Sequence, residues 1–403
     1  MALVTELELP EFDFMDPTLS GDRYHETVAA LAETSWVARS PMAYFVFDRE
    51  AGELLLRTRS ARFPGHELQE LFGVHDGPLA EEMRRNILHL DGADHRRLRQ
   101  LVNPFFTPRA ADRWRETMRG FLAELWAPLE AAKRCEAVED LCKPYPSLTI
   151  ARVMGAPLSD APRLHEWSNW IQKQFDGPTL TTQRERIDRA VAEFYAWVDP
   201  LIESRRSTPG DDLISHLIQA EEEGDRLDDA ECRNLVLNVL VGGVDTTQSQ
   251  LAQALRLFAA HPDQWALLAS EPERVKDAVT EIVRFEPITP FTARIMREDL
   301  DVKGVTFPAG TIVMVAAVTA NRDGMADGDA FDITRTDQER VLTFGAGPHF
   351  CLGVNLARAE LEEALTFLAP RMPGLRLDGD AELEAVHGIY GVTRLPLRWD
   401  RRS

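Results

Sequence analysis

The densest chemistry in the chain is the run Phe344-Gly345-Ala346-Gly347-Pro348-His349-Phe350-Cys351-Leu352-Gly353. Two glycines and a proline make a tight, irregular loop, because glycine takes positive φ without steric penalty. Behind it, Leu356, Ala357, Leu361, Ala364, Leu365 and Leu368 share one helical face. The spacing therefore puts Cys351 at the start of a helix. Unpaired N–H groups and the positive end of a helix dipole stabilise an anion there and lower a thiol pKa. Gly353 leaves room for something bulky against the backbone. From the loop alone two readings stand open: an inert buried thiol, or a nucleophile with His349 as its base.

A second unusual segment is Gly242-Gly243-Val244-Asp245-Thr246-Thr247, preceded by the apolar run Leu235 to Val241 with Asn238 inside it. The pattern from Asp228 to about Ala260 predicts one long helix, started by a capping pair, Asp228 and Glu231, and closed by Pro262. Two mid-helix glycines cost about 1 kcal/mol each relative to alanine. They bring an acid and two hydroxyls into apolar surroundings, where unpaired polar groups are penalised. A packing notch for a neighbouring helix, with threonine bonded back to the i−4 carbonyl, is the bland alternative. Glu281 and Arg284 share a helix face, as do His95 and Arg99.

These groups must be positioned by a mainly helical chain. Helical patterns run over about 78–285 and 352–368, and β-rich parts over about 36–57, 295–316 and 388–399. In the first β-rich part, Tyr44 to Phe47 and Leu54 to Leu56 read as a hairpin around a turn at Asp48–Gly52. Without repeats or composition breaks, the expectation is one domain, residues 1–403, mainly α with a small β subdomain. Four cysteines without a C-x-x-C pair fit neither a disulfide framework nor a zinc site. The net charge of −21 disfavours nucleic acid and anionic lipid as partners. The longest apolar stretch, Leu235 to Val244, falls short of the roughly 20 residues a membrane helix needs. The N-terminus lacks a secretory pattern. A cytoplasmic, unanchored monomer is expected.

The Cys351 loop resembles the haem-binding signature of the cytochrome P450 family, F-G-x-G-x-H-x-C-x-G, and matches every fixed position. Gly242 to Thr247 resembles the family's [AG]-G-x-[DE]-T-[TS] motif. The resemblance implies the cytochrome P450 fold and haem b, with Cys351 as thiolate ligand to the iron. It places Phe344 under the haem, and His95, Arg99, Arg294 and His349 at its propionates. Gly242 and Gly243 let a helix pass close to the porphyrin. Thr246 would hydrogen-bond dioxygen, and Asp245 would connect that point to bulk protons. Glu281, Arg284 and Arg335 would form a structural buried network.

By the same resemblance, substrate contacts come from Ile87 and Leu88 (with Met83 nearby), from Trp170 within the region Trp167 to Phe175, from Leu240 and Val244, from Ile288 and Phe291, and from Ile389 and Val392. Their apolar character suits a terpenoid, steroid, fatty acid or aromatic natural product. The implied reaction is hydroxylation or epoxidation with dioxygen and electrons from a ferredoxin and its reductase, no flavin or nicotinamide fingerprint being present. Seven arginines against two acids between Arg96 and Arg119 give a local charge of +5. Arg96, Arg97 or Arg113 would meet an acidic ferredoxin there. A haem carrier or sensor would keep Cys351 without needing Asp245 and Thr246, and a cysteine hydrolase would bind no haem.

Overall fold

The computed structural model describes residues 2–65, 70–222, 227–336 and 340–401. Near the N-terminus, Val37–Arg39 pairs antiparallel with Tyr44–Val46, which lies parallel to Ile312–Ala316 in the register Tyr44 to Val313. Phe291–Met296 and then Ala61–Arg62 complete a five-stranded sheet. The expected hairpin is not formed: Tyr44–Val46 pairs with Val37–Arg39 and not with Leu54–Leu56. Arg49–Arg57 is an α-helix, not a return strand, because the Asp48 carboxylate accepts from the Ala51 N–H at 2.8 Å and caps it. Ala51, Leu55 and Leu56 then face the core at helical spacing. Short strands at 376–377 and 396–398 join Arg134–Glu136 in a second sheet.

The helical bulk packs around one axis. Asp229–Gly243 starts with the expected reciprocal cap between Asp228 and Glu231. The single helix expected through Ala260 is broken at Val244 (φ −87°, ψ −67°), and a second helix runs Asp245–Ala260. The consecutive glycines supply no side-chain packing to hold the turn regular. Around this pair stand Gly77–Arg85, Pro144–Met154, Ala161–Gln172, Val275–Phe285 and Val354–Leu368. Among the described residues, no helix is long and apolar enough to cross a membrane.

One ionic knot fixes the side of the molecule that carries the cysteine loop. Arg284 forks onto Glu281 through Nε at 2.6 Å and Nη2 at 2.7 Å, and donates to the carbonyls of Gly328 and Ala330. Arg335 Nε lies 3.6 Å from the same carboxylate, which also accepts from the Asp332 N–H. Glu281 and Arg284 are fully buried. The expected trio is therefore present, and removing one partner strands a desolvated charge. Arg284→Met should lower unfolding free energy by about 3–5 kcal/mol in urea titrations; a loss below about 1 kcal/mol would show that the knot does not hold the fold.

Candidate functional site

The cysteine loop is shaped by backbone that other residues would strain. Gly345 and Gly347 sit at φ +69° and +71°, and a Cβ on Gly347 would stand 2.7 Å from the Leu56 carbonyl oxygen. The Cys351 N–H closes the loop onto the Phe344 carbonyl at 2.9 Å. Cys351 lies three residues ahead of the helix Val354–Leu368 rather than within it. Burial pushes its thiol above the ordinary range, while the N–H groups of Gly353 and Val354 and the charge of Arg99 pull the other way. In the protein alone burial wins, against the expectation from the helix terminus. Phe344 packs against the main core with Arg358 over its ring.

Four basic groups expected around an anion do converge. The rings of His95 and His349 are 4.3 Å apart, and the charge of Arg99 and Arg294 acts on His349. Arg99 donates to the Phe350 carbonyl, and Arg294 Nη2 to the Leu56 carbonyl at 3.3 Å. Burial pulls His95 down to about 4, His349 to about 3 and Arg294 to about 10. No carboxylate pairs with any of the four among the described residues, and the buried His349 Nε2 has no hydrogen-bond partner. Such a set fits a dianion such as a pair of propionates. His89, which no motif flagged, joins them: its ring stacks on Phe63 at 5.6 Å, and its charge also reaches His349.

The broken helix presents an unusual surface. Between Asn234 and Leu255 every residue is buried except Asn238, Gly242, Gly243 and Thr246. Asn238, Gly242 and Thr246 follow each other at four-residue intervals, so they form one stripe. Helices pack against the pair on several sides, and the stripe is the face they leave accessible. A Cβ on Gly242, or on Gly353, would meet nothing within 4 Å, which is the room a flat porphyrin needs. Gly243 differs: a Cβ there would lie 2.3 Å from Ile150, so it is the packing notch.

Thr246 Oγ1 donates back to the Gly242 carbonyl at 2.6 Å. Asp245 is buried and accepts from Asn169 Nδ2 at 3.1 Å. Burial, then the nearby Glu384, raises its carboxyl to about 6, opposed by Lys173 and Asn169. Lys173 is itself paired with Glu384 at 2.5 Å. These three neighbours were invisible in the sequence, lying 76, 72 and 139 positions from Asp245. Thr247 Oγ1 reaches Glu360 at 3.5 Å, tying the broken helix to the helix that follows Cys351.

The apolar positions divide. Ile87, Leu88, Trp170 and Ile389 are half-buried, with Arg186 stacked 3.8 Å above Trp170. Leu240 and Val244 are fully buried in the main core, two residues to either side of Gly242 and so on the far face of the helix. Met83 and Val392 also pack in that core, Ile288 is buried, and Trp167 is held between Phe194, Trp197 and the Glu193 carboxylate. Phe291 packs in an aromatic group with Phe12, Phe14 and Phe45. A cleft of about 590 Å³ is lined by Glu193 and Trp197, the neighbours of Trp167, and by none of the other apolar positions.

The arginine run is less free than its composition implied. Arg97 pairs with Glu231, Arg113 with Asp211, Arg115 with Asp112, Glu362 and Glu363, and Arg119 with Glu363. Arg99 points inward. Arg96 and Arg109 remain exposed, as does Arg340, whose guanidinium lies 4.2 Å over the ring of Phe350 in the cysteine loop.

Comparison with known proteins addresses the same residues. A profile described as Cytochrome P450 matches residues 75–368. The luteothin monooxygenase of Streptomyces thioluteus is 37% identical over 398 residues, covering 97% of this chain and 96% of the relative. The mycinamicin IV hydroxylase/epoxidase of Micromonospora griseorubida is 34% identical over 327 residues, covering 79% and 81%. The crystal structure of CalO2 superposes with a TM-score of 0.90 at 29% identity, covering 98% of this chain and all of that one. With loop, basic cradle and glycine stripe in the same frame, this chain belongs to the cytochrome P450 family of monooxygenases.

Proposed function

We propose that the protein inserts one atom of dioxygen into a C–H or C=C bond of an apolar small molecule, in the cytoplasm, with electrons from an acidic ferredoxin. The carrying observation is the stripe through Gly242 and Thr246, the open face of an otherwise buried helix pair. The names of the relatives, a monooxygenase and a hydroxylase/epoxidase, agree with this reaction class. We read residues 1–403 as one domain serving a single site.

Haem b, the family's cofactor, supplies dioxygen activation when bound. Cys351 would hold its iron, with the N–H groups of Gly353 and Val354 steadying the sulfur. His95, Arg99, Arg294 and His349 would take the propionates. A neutral imidazole still donates one N–H, so the lowered pKa values of the histidines do not prevent this. The Thr246 hydroxyl has a single hydrogen, now held by the Gly242 carbonyl. It must rotate before it can donate into the cavity. Asp245, whose pKa of about 6 lies near neutral pH, can lose and regain a proton at little expense. Its carboxylate faces Asn169 and the Lys173–Glu384 pair, both half-exposed, and that is its route to solvent. A carrier or sensor has no use for this acid–alcohol pair.

Thr246→Ala should keep haem and substrate binding but release peroxide in place of product, read as the ratio of product to reductant consumed; an unchanged ratio would remove Thr246 from the reaction. For Asp245 the sign follows from its raised pKa: below about 6 it is protonated and stops accepting protons from solvent. Wild-type turnover should fall through that region, and Asp245→Asn should be slower by about 10²-fold or more with no inflection there. The same inflection in both proteins would assign it elsewhere.

The cradle predicts that Arg294→Leu raises the rate of haem transfer to an acceptor globin by about tenfold, the equivalent of one charge-assisted hydrogen bond. Equal transfer rates would place the propionates elsewhere. For the electron donor, Arg96→Glu combined with Arg340→Glu should slow reduction by ferredoxin at low salt while leaving substrate affinity unchanged. Reduction at the wild-type rate would move the docking face away from the cysteine loop.

A further inference from the structure

Asn238 is the polar member of the open stripe, one turn before Gly242 and two before Thr246. Its amide is fixed at both ends. Oδ1 accepts from the Ile87 N–H at 3.0 Å, and Nδ2 donates to Glu82 Oε1 at 3.1 Å. A backbone N–H can only donate and a carboxylate oxygen accepts, so the amide has one orientation.

Glu82 has no outlet to solvent. It is fully buried on the helix Gly77–Arg85, and Asn86 Nδ2 donates to the same Oε1 at 2.6 Å. Asn234 Nδ2 reaches the Glu82 carbonyl at 3.2 Å. Glu82 Oε2 has no partner, and no cation pairs with the carboxylate among the described residues. Burial raises its pKa to about 7 against the donated hydrogen bonds. A buried acid in apolar surroundings is expensive, and here it holds one amide of the open stripe.

An amide offers two N–H donors and two lone pairs on oxygen. Two of those four positions are used, so one donor and one lone pair remain at the half-exposed Asn238. We propose that Asn238 is a specificity-determining residue that takes a hydroxyl group of an otherwise apolar substrate, with Glu82 as the residue that positions it. A hydroxyl donates and accepts at once and so satisfies both free positions. The helical rise puts this point about 12 Å along the axis from Thr246 and about 6 Å from Gly242. The hydroxyl would therefore anchor the substrate at a distance while a remote carbon lies at the oxygen end. The half-buried Ile87 and Leu88, beside the anchored backbone, supply apolar surface near the same point. The inference rests on the reading of this cavity as a site for apolar substrates.

The test uses haem-loaded protein and matched pairs of compounds: cyclododecane with cyclododecanol, dodecane with dodecanol, androstane with androstanol, bornane with borneol. Affinities come from the optical spin-state shift and from equilibrium dialysis. For at least one pair the alcohol should bind about 5–10-fold more tightly than the hydrocarbon, the effect of one net hydrogen bond. Asn238→Leu should erase that ratio, with haem content, absorption spectrum and hydrocarbon affinity unchanged. Glu82→Leu should reduce it by freeing the amide to turn. Should Asn238→Leu fail to hold haem, Asn238→Ala takes its place. Equal affinities within every pair, or a ratio that survives loss of the amide, overturn the role of Asn238 while leaving the apolar site standing. No binding by any hydrocarbon or alcohol would bring down the apolar-substrate reading and this inference with it.

Discussion

Four basic side chains meet with no carboxylate among them in the described residues, and the rest of the site is arranged around that electrostatic deficit. Two other buried carboxylates are matched with cations: Glu281 with Arg284, and Glu286 with both Arg256 and His25. At His95, Arg99, Arg294 and His349 the acceptors among the described residues are backbone carbonyls, and burial drives each group toward its neutral form. A folded chain tolerates this when a bound group brings the missing negative charge.

At the helix pair the constraint is steric. The helix pair touches core on nearly every face, and Gly242 removes side chain where space is needed while Gly243 does so where Ile150 presses in. Adjacent identical residues thus solve opposite problems. The break at Val244 separates the roles of its neighbours. Asp245 turns to Asn169, Thr246 on the open stripe bonds back to the Gly242 carbonyl, and Thr247 turns to Glu360 on the helix that follows Cys351. Three consecutive polar residues address three different partners, as successive positions about 100° apart on a helix must.

Much of this was readable in the chain. Contiguous motifs carried the loop, the capping pair at Asp228 and the fork at Glu281, because each is settled by residues within a few positions of one another. What failed depended on distance. The arginine run looked like a free positive patch until Glu231, Glu362 and Glu363, more than a hundred positions away, neutralised most of it. Leu240 and Val244 share a segment with Gly242 but not a face, and proximity in sequence hid that. Leu54 to Leu56 resembled a strand because a triple leucine run carries no period, and the cap at Asp48 decided for a helix. Asn238 was visible as one polar letter in an apolar run, without any hint of Glu82 behind it.

The last turn of the helix Arg49–Arg57 supports both ends of the cradle. The Leu56 carbonyl receives Arg294 at 3.3 Å, and Gly347 of the cysteine loop packs so tightly on the same oxygen that no side chain fits between. That carbonyl lies at the negative end of its helix, which suits a buried guanidinium. Yet it precedes the segment 75–368 that carries every signature of the family. A fragment cut to the recognisable motifs would therefore retain all the reactive side chains and lose the floor that sets their spacing.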